Sequence, residues 1–322
     1  MTFMHYDLEK LVDKNHPLRK TEETVSFGSL AYRLKKLDNN LGRKGYGAEV
    51  GLRCLYLQFH YDLSDRAMEE ELRDRSSFRW FCGFKIGEQT PDHSYFGRMR
   101  EVIGTKKIGQ IFNAIVKKAE DKSVVRKVFK FVDATAIKSK ETTWKERDKA
   151  IADGEEKLNN DNIGKYSSDK DARFGCKGKD KFWYGYKANA ACDMGSMIIT
   201  KIAVTPANIP DEHGFKHICP RYGEMVFGDK SYCLKPALHE MLKRGCYSAA
   251  ILKNNMKNKN KDLDKWRSKM RSPFECIFSK FEKRTRYRGL AKVQFQLFMD
   301  AIVWNTKRLI KINAPPLFSA TA

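Results

Sequence analysis

The sequence predicts a mixed α/β protein, with a helical N-terminal region followed by a sheet that helices cover. Two observations support this fold class. Up to about residue 123 the apolar residues recur at helical spacing, and the first β-rich run is Val128–Val132. From there to residue 312, short β-rich runs alternate with helical segments, which is the order expected of a sheet with helical layers.

The N-terminal region, residues 1–123, is predicted to be all helical. Helices are expected at 24–38, at about 48–61, after Ser64–Asp65, around His93–Arg100 and at 106–123. A basic, glycine-rich loop with Arg43 and Lys44 separates the first two. The helix with Arg98 and Arg100 follows a turn, so this part is helix-turn-helix-like and compatible with DNA binding. An ordinary solvated helix fits the same pattern.

The second region, residues 124–312, is predicted to hold the sheet. Strands are expected at 128–132, 182–191, 197–204, 225–227 and 248–252, and helices at 235–244 and 290–312. The second and third strands flank a turn signal at Asp193–Ser196 and should form a hairpin. Residues 138–181 are highly charged and are expected to form a surface insertion, and residues 313–322 a flexible tail.

The charge of the chain indicates a polyanionic partner. Among its 322 residues, 62 Lys plus Arg oppose 40 Asp plus Glu, which gives a formal net charge of +22. Nucleic acid is the first expectation and an anionic membrane the second. The membrane alternative is weaker, because no apolar run has the length of a spanning helix and the N-terminus lacks a signal-peptide pattern.

The eight cysteines are scattered and form no CxxC pair, which is typical of reduced, mostly buried thiols in an intracellular protein. His213, His217 and Cys219 are close in sequence and suggest a metal site. A fourth ligand at suitable spacing is missing, so the pattern gives that site little support.

Three acids stand out as candidate ligands of a hard cation. Asp133 and Asp229 each follow an apolar run that is predicted to be a strand, and Glu275 opens a helix four residues after Arg271. Converging carboxylates repel one another unless cations lie among them, and oxygen ligands suit Mg²⁺, with Mn²⁺ as a substitute. Two such ions can activate the attacking oxygen and stabilise the leaving oxygen of a phosphodiester.

Each acid also has an ordinary structural interpretation. Asp133 and Asp229 could be turn or cap residues. Ser272–Glu275 forms a capping box with proline at the first helical position, and that alone would explain Glu275.

The chain resembles the DDE-class transposases of bacterial insertion sequences, specifically the group named after insertion sequence five. The motifs that carry the resemblance run nearly end to end: Asn15–Arg19, Gly42–Tyr46, Leu63–Arg66, Ser77–Gly83, Pro91–Ser94, Asp133–Thr135, Tyr184–Lys187, Val204–Asn208 with Asp211, Gly228–Lys230 with Tyr232, Arg271 with Glu275, Arg286–Gly289 and Asn305–Arg308. The chain departs from the family's Tyr-x2-Arg-x3-Glu-x6-Lys signature at two positions, where it has Ser268 and Glu282.

The resemblance implies an RNase H-like catalytic domain after an all-helical DNA-binding domain. It implies that Asp133, Asp229 and Glu275 are the catalytic triad and the metal ligands. The implied substrates are the terminal inverted repeats of the element and a double-stranded target DNA. Residues expected to contact DNA are basic: Arg43, Lys44, Arg98, Arg100, Lys187, Lys230, Arg271, Arg286 and Arg288.

The implied activity is cleavage of the element ends by metal-dependent hydrolysis, followed by joining of the 3′-OH to target DNA. The resemblance also implies a homodimer or larger synaptic complex and a cytoplasmic, nucleoid-associated location in bacteria. Two alternatives remain at this point: a catalytically decayed transposase that only binds DNA, and a metal-dependent nuclease of the same fold that does not join strands.

Overall fold

A computed structural model describes residues 8–37, 45–257, 259–274, 276–277, 281–312 and 317. The chain forms two compact units. The first comprises residues 1–124 and 299–322, and the second comprises residues 125–298. None of the helices in these described ranges is long and apolar enough to cross a lipid bilayer.

The first unit is helical where it is described. Its helices are α1 Leu8–Leu11, α2 Pro17–Thr24, α3 Phe27–Ala31, α4 Gly47–His60, α5 Asp65–Asp74, α6 Ser76–Cys82 and α7 His93–Asp121. The helix predicted over 24–38 is shorter, because Val25 is extended and Ser26 caps α3, and a 3₁₀ turn follows at Tyr32–Leu37. The two helices predicted on either side of residue 104 are confirmed, since Gly104 breaks α7 with φ 63° and ψ 169°.

Aromatic side chains fill the core of the first unit. The rings of Phe27 and Tyr56 lie 4.8 Å apart in an edge-to-face pair, and Phe81 lies 5.3 Å from Phe27. The buried Tyr56 hydroxyl lies 3.1 Å from Nδ1 of His60. The second half of helix α13, Leu290–Lys311, also belongs to this unit.

The second unit contains a mixed sheet with helices and a charged insertion. Its strands are β1 Phe129–Lys138, β2 Arg173–Lys177, β3 Lys181–Asp193, β4 Ile199–Pro206, β5 Met225–Phe227 and β6 Tyr247–Ser248; its other elements are α8 Trp144–Ala152, α9 Ile163–Tyr166, α10 Asp211–Gly214, α11 Lys235–Lys243 and α12 Lys261–Arg271. The mixed α/β prediction is therefore confirmed, as is the β3–β4 hairpin.

The strand order places β1 in the middle of the sheet. β3 pairs antiparallel with β1, β2 and β4, whereas β5 pairs parallel with both β1 and β6. The prediction that the first strand ends at Val132 is wrong, since β1 continues to Lys138. The pairing with β3 holds it extended to that point, while the pairing with β5 stops at Phe131 opposite Phe227.

The insertion at 138–181 is more buried than the sequence predicts. It contributes the strand β2 to the sheet, and the side chains of Ile163 and Asp169 are almost fully buried. Asp169 accepts hydrogen bonds from the hydroxyl of Tyr186 on β3 (2.5 Å) and from the amide of Gly289 (3.1 Å). These bonds to distant parts of the unit explain why a highly charged segment is ordered against the sheet.

Candidate active site

Asp133 and Asp229 lie on neighbouring parallel strands. Phe131 on β1 is paired with Phe227 on β5, and each acid follows two residues later. Parallel strands run in the same direction, so both acids lie just past the same end of the segment in which β1 and β5 are paired. Asp133 is inside β1 and not at the strand end that the sequence predicts, but it does lie just beyond the last β1–β5 pair.

The surroundings of Asp133 oppose its negative charge. Burial raises its pKa most, and the charges of Asp229 and Asp211 raise it further. A hydrogen bond from the Ala134 amide (2.8 Å) and the charge of Arg271 act in the opposite direction. The net result is a pKa of about 6. Burial and the two nearby carboxylates therefore outweigh the amide and Arg271 at Asp133.

Arg271 is the cation next to Asp133. It is the last residue of α12, and its Nη2 lies 4.0 Å from Oδ2 of Asp133. The guanidinium lies 5.6 Å from the ring centre of Phe131, which keeps the side chain against the sheet. The sequence predicts Arg271 as a DNA contact; in this structure it is mostly buried and lies beside Asp133.

Lys187, another predicted DNA contact, is held by a partner within the protein. Its Nζ lies 2.7 Å from Oδ1 of Asp211 and 2.9 Å from the carbonyl oxygen of Ile209. Asp211 also lies near Asp133, although the sequence analysis assigned it no role. Its position directly after Pro210, at the start of the short helix that follows β4, is a sequence signal that could have identified it.

A tight turn after β5 fixes Asp229. The amide of Ser231 donates to Oδ1 of Asp229 (2.8 Å), and the amide of Tyr232 lies 3.2 Å from the Asp229 carbonyl oxygen. The Tyr232 ring packs directly over Gly228, where an added Cβ would lie 2.6 Å from Cδ2 of the ring. A side chain at position 228 would displace the ring, so the turn requires glycine there.

The described part of this site offers only oxygen donors to a cation. No group of three or more His, Cys, Asp or Glu residues with metal-binding geometry occurs within the described ranges, and Glu275, the third predicted acid, lies outside them. The two carboxylates fit a hard divalent cation, because such an ion would offset both the burial and the repulsion that raise the pKa of Asp133.

The remaining predicted DNA contacts differ in their surroundings. Lys230 and Arg98 are exposed. Arg100 makes an ion pair with Asp65, with Nη2 2.6 Å from Oδ2. Arg43 and Lys44 lie outside the described residues.

Two further predicted contacts, Arg286 and Arg288, pair with acids of the second unit. The Nε of Arg286 lies 2.8 Å from Oε1 of Glu282, and Arg288 pairs with Glu141. Glu282 stands where the signature has lysine, so this departure has a structural role as the partner of Arg286.

Two sequence families match the chain. Residues 6–102 match the family described as "Transposase domain (DUF772)", and residues 126–306 match the family described as "Transposase DDE domain". Among solved structures, the chain is similar to a piggyBac transposase in a synaptic complex with hairpin DNA, determined by cryo-electron microscopy. The TM-score of that similarity is 0.38, with 9% identity over 93% of this chain and 77% of the other.

Proposed function

Because this chain belongs to the family of the transposase DDE domain, we propose that it moves an insertion sequence of the insertion sequence five group. In this proposal it binds the terminal inverted repeats, cleaves the element ends by hydrolysis and joins each freed 3′-OH to target DNA. The observation that carries the proposal is the convergence of Asp133 and Asp229 on adjacent parallel strands, with Arg271 beside them.

The proposed chemistry consists of two phosphoryl transfers at one site. In the first, the oxygen of water bonds to phosphorus and the 3′ oxygen of the element end leaves. In the second, that 3′ oxygen bonds to a target phosphorus and the target's own 3′ oxygen leaves. Asp133, Asp229 and Glu275 would hold Mg²⁺ or Mn²⁺, which supplies Lewis-acid stabilisation of the attacking and leaving oxygens.

Other residues of the chain would position the acids and the DNA. Arg271 restrains the Asp133 carboxylate, and the Lys187–Asp211 pair holds the segment after β4 against β3. The exposed Lys230, next to Asp229, is placed to contact a phosphate. An RNase H-like fold for the second unit and a multimeric synaptic complex belong to the same proposal.

The test is a cleavage and joining assay on labelled DNA that carries an end of the parent element, with Mg²⁺ or Mn²⁺. Wild type is compared with Asp133→Ala, Asp229→Ala and Glu275→Gln. We expect wild type to nick and join, and each variant to bind DNA with both steps reduced by at least ~10³-fold. Asp180→Ala, which removes an exposed acid from a turn, is the control and should keep full activity.

Two other outcomes would replace the proposal. If all of the proteins bind DNA equally and none cuts it, the chain is a DNA-binding protein. If wild type cuts but never joins, the chain is a nuclease. The separate joining readout distinguishes these cases.

A further inference from the structure

We propose that an exposed row of three lysines on α12 binds the phosphate backbone of double-stranded DNA beside the acid pair. These residues, the α12 lysine row, are Lys261, Lys265 and Lys269. The inference rests on the proposed function and adds a surface to it. The DNA contacts expected from the sequence do not include these residues.

The charged side chains on the protein-facing side of α12 have partners within the protein. Asp264 is 7% exposed, and its carboxylate oxygens lie 3.4 Å from Nη1 of Arg267 and 3.6 Å from Nζ of Lys259. Arg267 also donates to the carbonyl oxygen of Ala250 at 3.1 Å. These contacts attach α12 to the second unit without the α12 lysine row.

The α12 lysine row occupies one exposed side of the helix. Its members are four residues apart, so they follow one another along the same face. All three are exposed, and none of their ammonium groups makes an ion pair or hydrogen bond with the residues that the structure describes. The row is therefore available to an anionic partner.

The spacing of the row opposes helix formation. Like charges four residues apart on a helix repel one another, and Lys261 at the first helical position lies beside the positive end of the helix dipole. A face that is merely solvated would be more stable with charges of alternating sign. A polyanion along the row would offset the repulsion, because it meets all three charges at once.

The helix that carries the row packs beside both strands that carry the acids. The ring of Trp266 lies 5.9 Å from that of Phe227, two residues before Asp229. At the end of the helix, Nη2 of Arg271 lies 4.0 Å from Oδ2 of Asp133. A duplex bound along the row would therefore lie next to the acid pair.

The length of the row suits duplex DNA. Its first and last members are eight residues apart, which corresponds to a rise of about 12 Å along the helix. Over about 12 Å the two strands of a duplex carry about seven phosphate charges. Each lysine can thus reach a phosphate, and contacts of this kind bind DNA irrespective of its sequence.

The experiment measures binding of the full chain to a fluorescein-labelled duplex of arbitrary sequence. Anisotropy in EDTA over about 50 to 200 mM KCl gives the association constant K and its salt dependence. The test variant is Lys261→Gln/Lys265→Gln/Lys269→Gln. Thermal denaturation gives the Tm of each protein, and vesicles of phosphatidylserine serve as a second anionic probe.

The control variant removes the same charge from three exposed positions on other elements. It is Lys145→Gln/Lys216→Gln/Lys243→Gln. Because it has the same net charge as the test variant, any difference in DNA binding between the two reports where the lysines lie.

We expect the test variant to reduce the slope of log K against log salt by about 3 and to weaken DNA binding at about 100 mM KCl by about 100-fold or more. The control variant should reduce the slope by less than about 1. The Tm of the test variant should not fall, because the change removes repulsion between like charges. Lys265→Gln alone should reduce the slope by about 1. Arginine at all three positions should keep K within about threefold of wild type, because it also binds phosphate.

Equal losses in the test and control variants would overturn the inference, because the row would then contribute only to the overall field. A test variant that binds DNA as wild type does, but loses binding to the vesicles, would overturn it as well. Neither result affects the cleavage and joining assay, so the proposed function would stand. If wild type binds DNA but neither cuts nor joins it, the proposed function fails, whereas a loss of binding confined to the test variant still supports the row as a DNA-binding surface.

Discussion

Asp133 lies where its own ionisation is unfavourable. Its side chain is 23% exposed, and two other carboxylates act on it while a single amide and Arg271 favour its charge. An acid with only a structural role in β1 would gain nothing from such neighbours. The arrangement is expected of a residue whose charge is used only when a cation is present.

The pKa of about 6 predicts how Asp133 affects folding in the absence of metal. The folded-state pKa lies above the usual value, so the stability that this group contributes is complete only below the unfolded-state pKa of about 4 and is lost as the pH rises through 6. Asn mimics the neutral acid at every pH. Asp133→Asn should therefore change the free energy of unfolding by less than about 1 kcal/mol at about pH 4 and raise it by about 3 kcal/mol at about pH 8.

Urea denaturation in EDTA at the two pH values measures this difference. Asp180→Asn, at an exposed position, is the control and should give no change at either pH. Equal stability of Asp133→Asn and wild type at about pH 8 would contradict the electrostatic account.

At the residue level, the chain itself carries a signal for only some members of the candidate site. Asp133 and Asp229 could be selected because each follows an apolar run, and the structure brings these two together. The Lys187–Asp211 pair and the orientation of Tyr232 could not, because both depend on how the segment after β4 packs on β3.

One buried acid, Asp169, links the insertion to β3 and to the segment before α13. Asp169 accepts from the hydroxyl of Tyr186 and the amide of Gly289, and its second oxygen lies 3.3 Å from Oγ of Ser139. The insertion, β3 and the start of α13 thus share a single polar centre. This centre fixes β3 at Tyr186, the residue before Lys187.

Asp169→Ala should destabilise the protein by about 2–4 kcal/mol, because it leaves buried donors unpaired. Chemical denaturation monitored by circular dichroism measures the loss. Asp161→Ala, an exposed acid of the same insertion, should change stability by less than about 0.5 kcal/mol. A loss of the same size in both variants would mean that Asp169 has no special role.

The sequence predicted some elements better than others for a physical reason. Met225–Phe227 is an apolar run bounded by turn residues, and the structure forms β5 over those same residues. β2 was missed, because Arg173–Lys177 is only five residues long, has a glycine at its centre and lies in a highly charged stretch. Its five residues are extended because they pair with β3, and no local pattern reports such a pairing.

For the molecule as a whole, charge is the dominant property. The net charge of +22 concerns association and not the fold, because buried cations such as Lys130 are matched by acids such as Asp193 at 3.0 Å. Exposed Lys and Arg among the described residues contribute to this excess. Lys230 is one of these, and its neighbour in the chain is Asp229.

DNA affinity should consequently depend steeply on salt, and Lys230 should account for about one phosphate contact. Lys230→Gln should weaken binding to DNA of any sequence and reduce the slope of log K against log salt by about 1. Fluorescence anisotropy over about 50 to 200 mM KCl measures both quantities.

Lys145→Gln removes the same charge from an exposed position on α8 and controls for net charge. If both variants reduce the slope equally, Lys230 contributes only to the overall field; a loss confined to Lys230→Gln places a DNA phosphate beside Asp229.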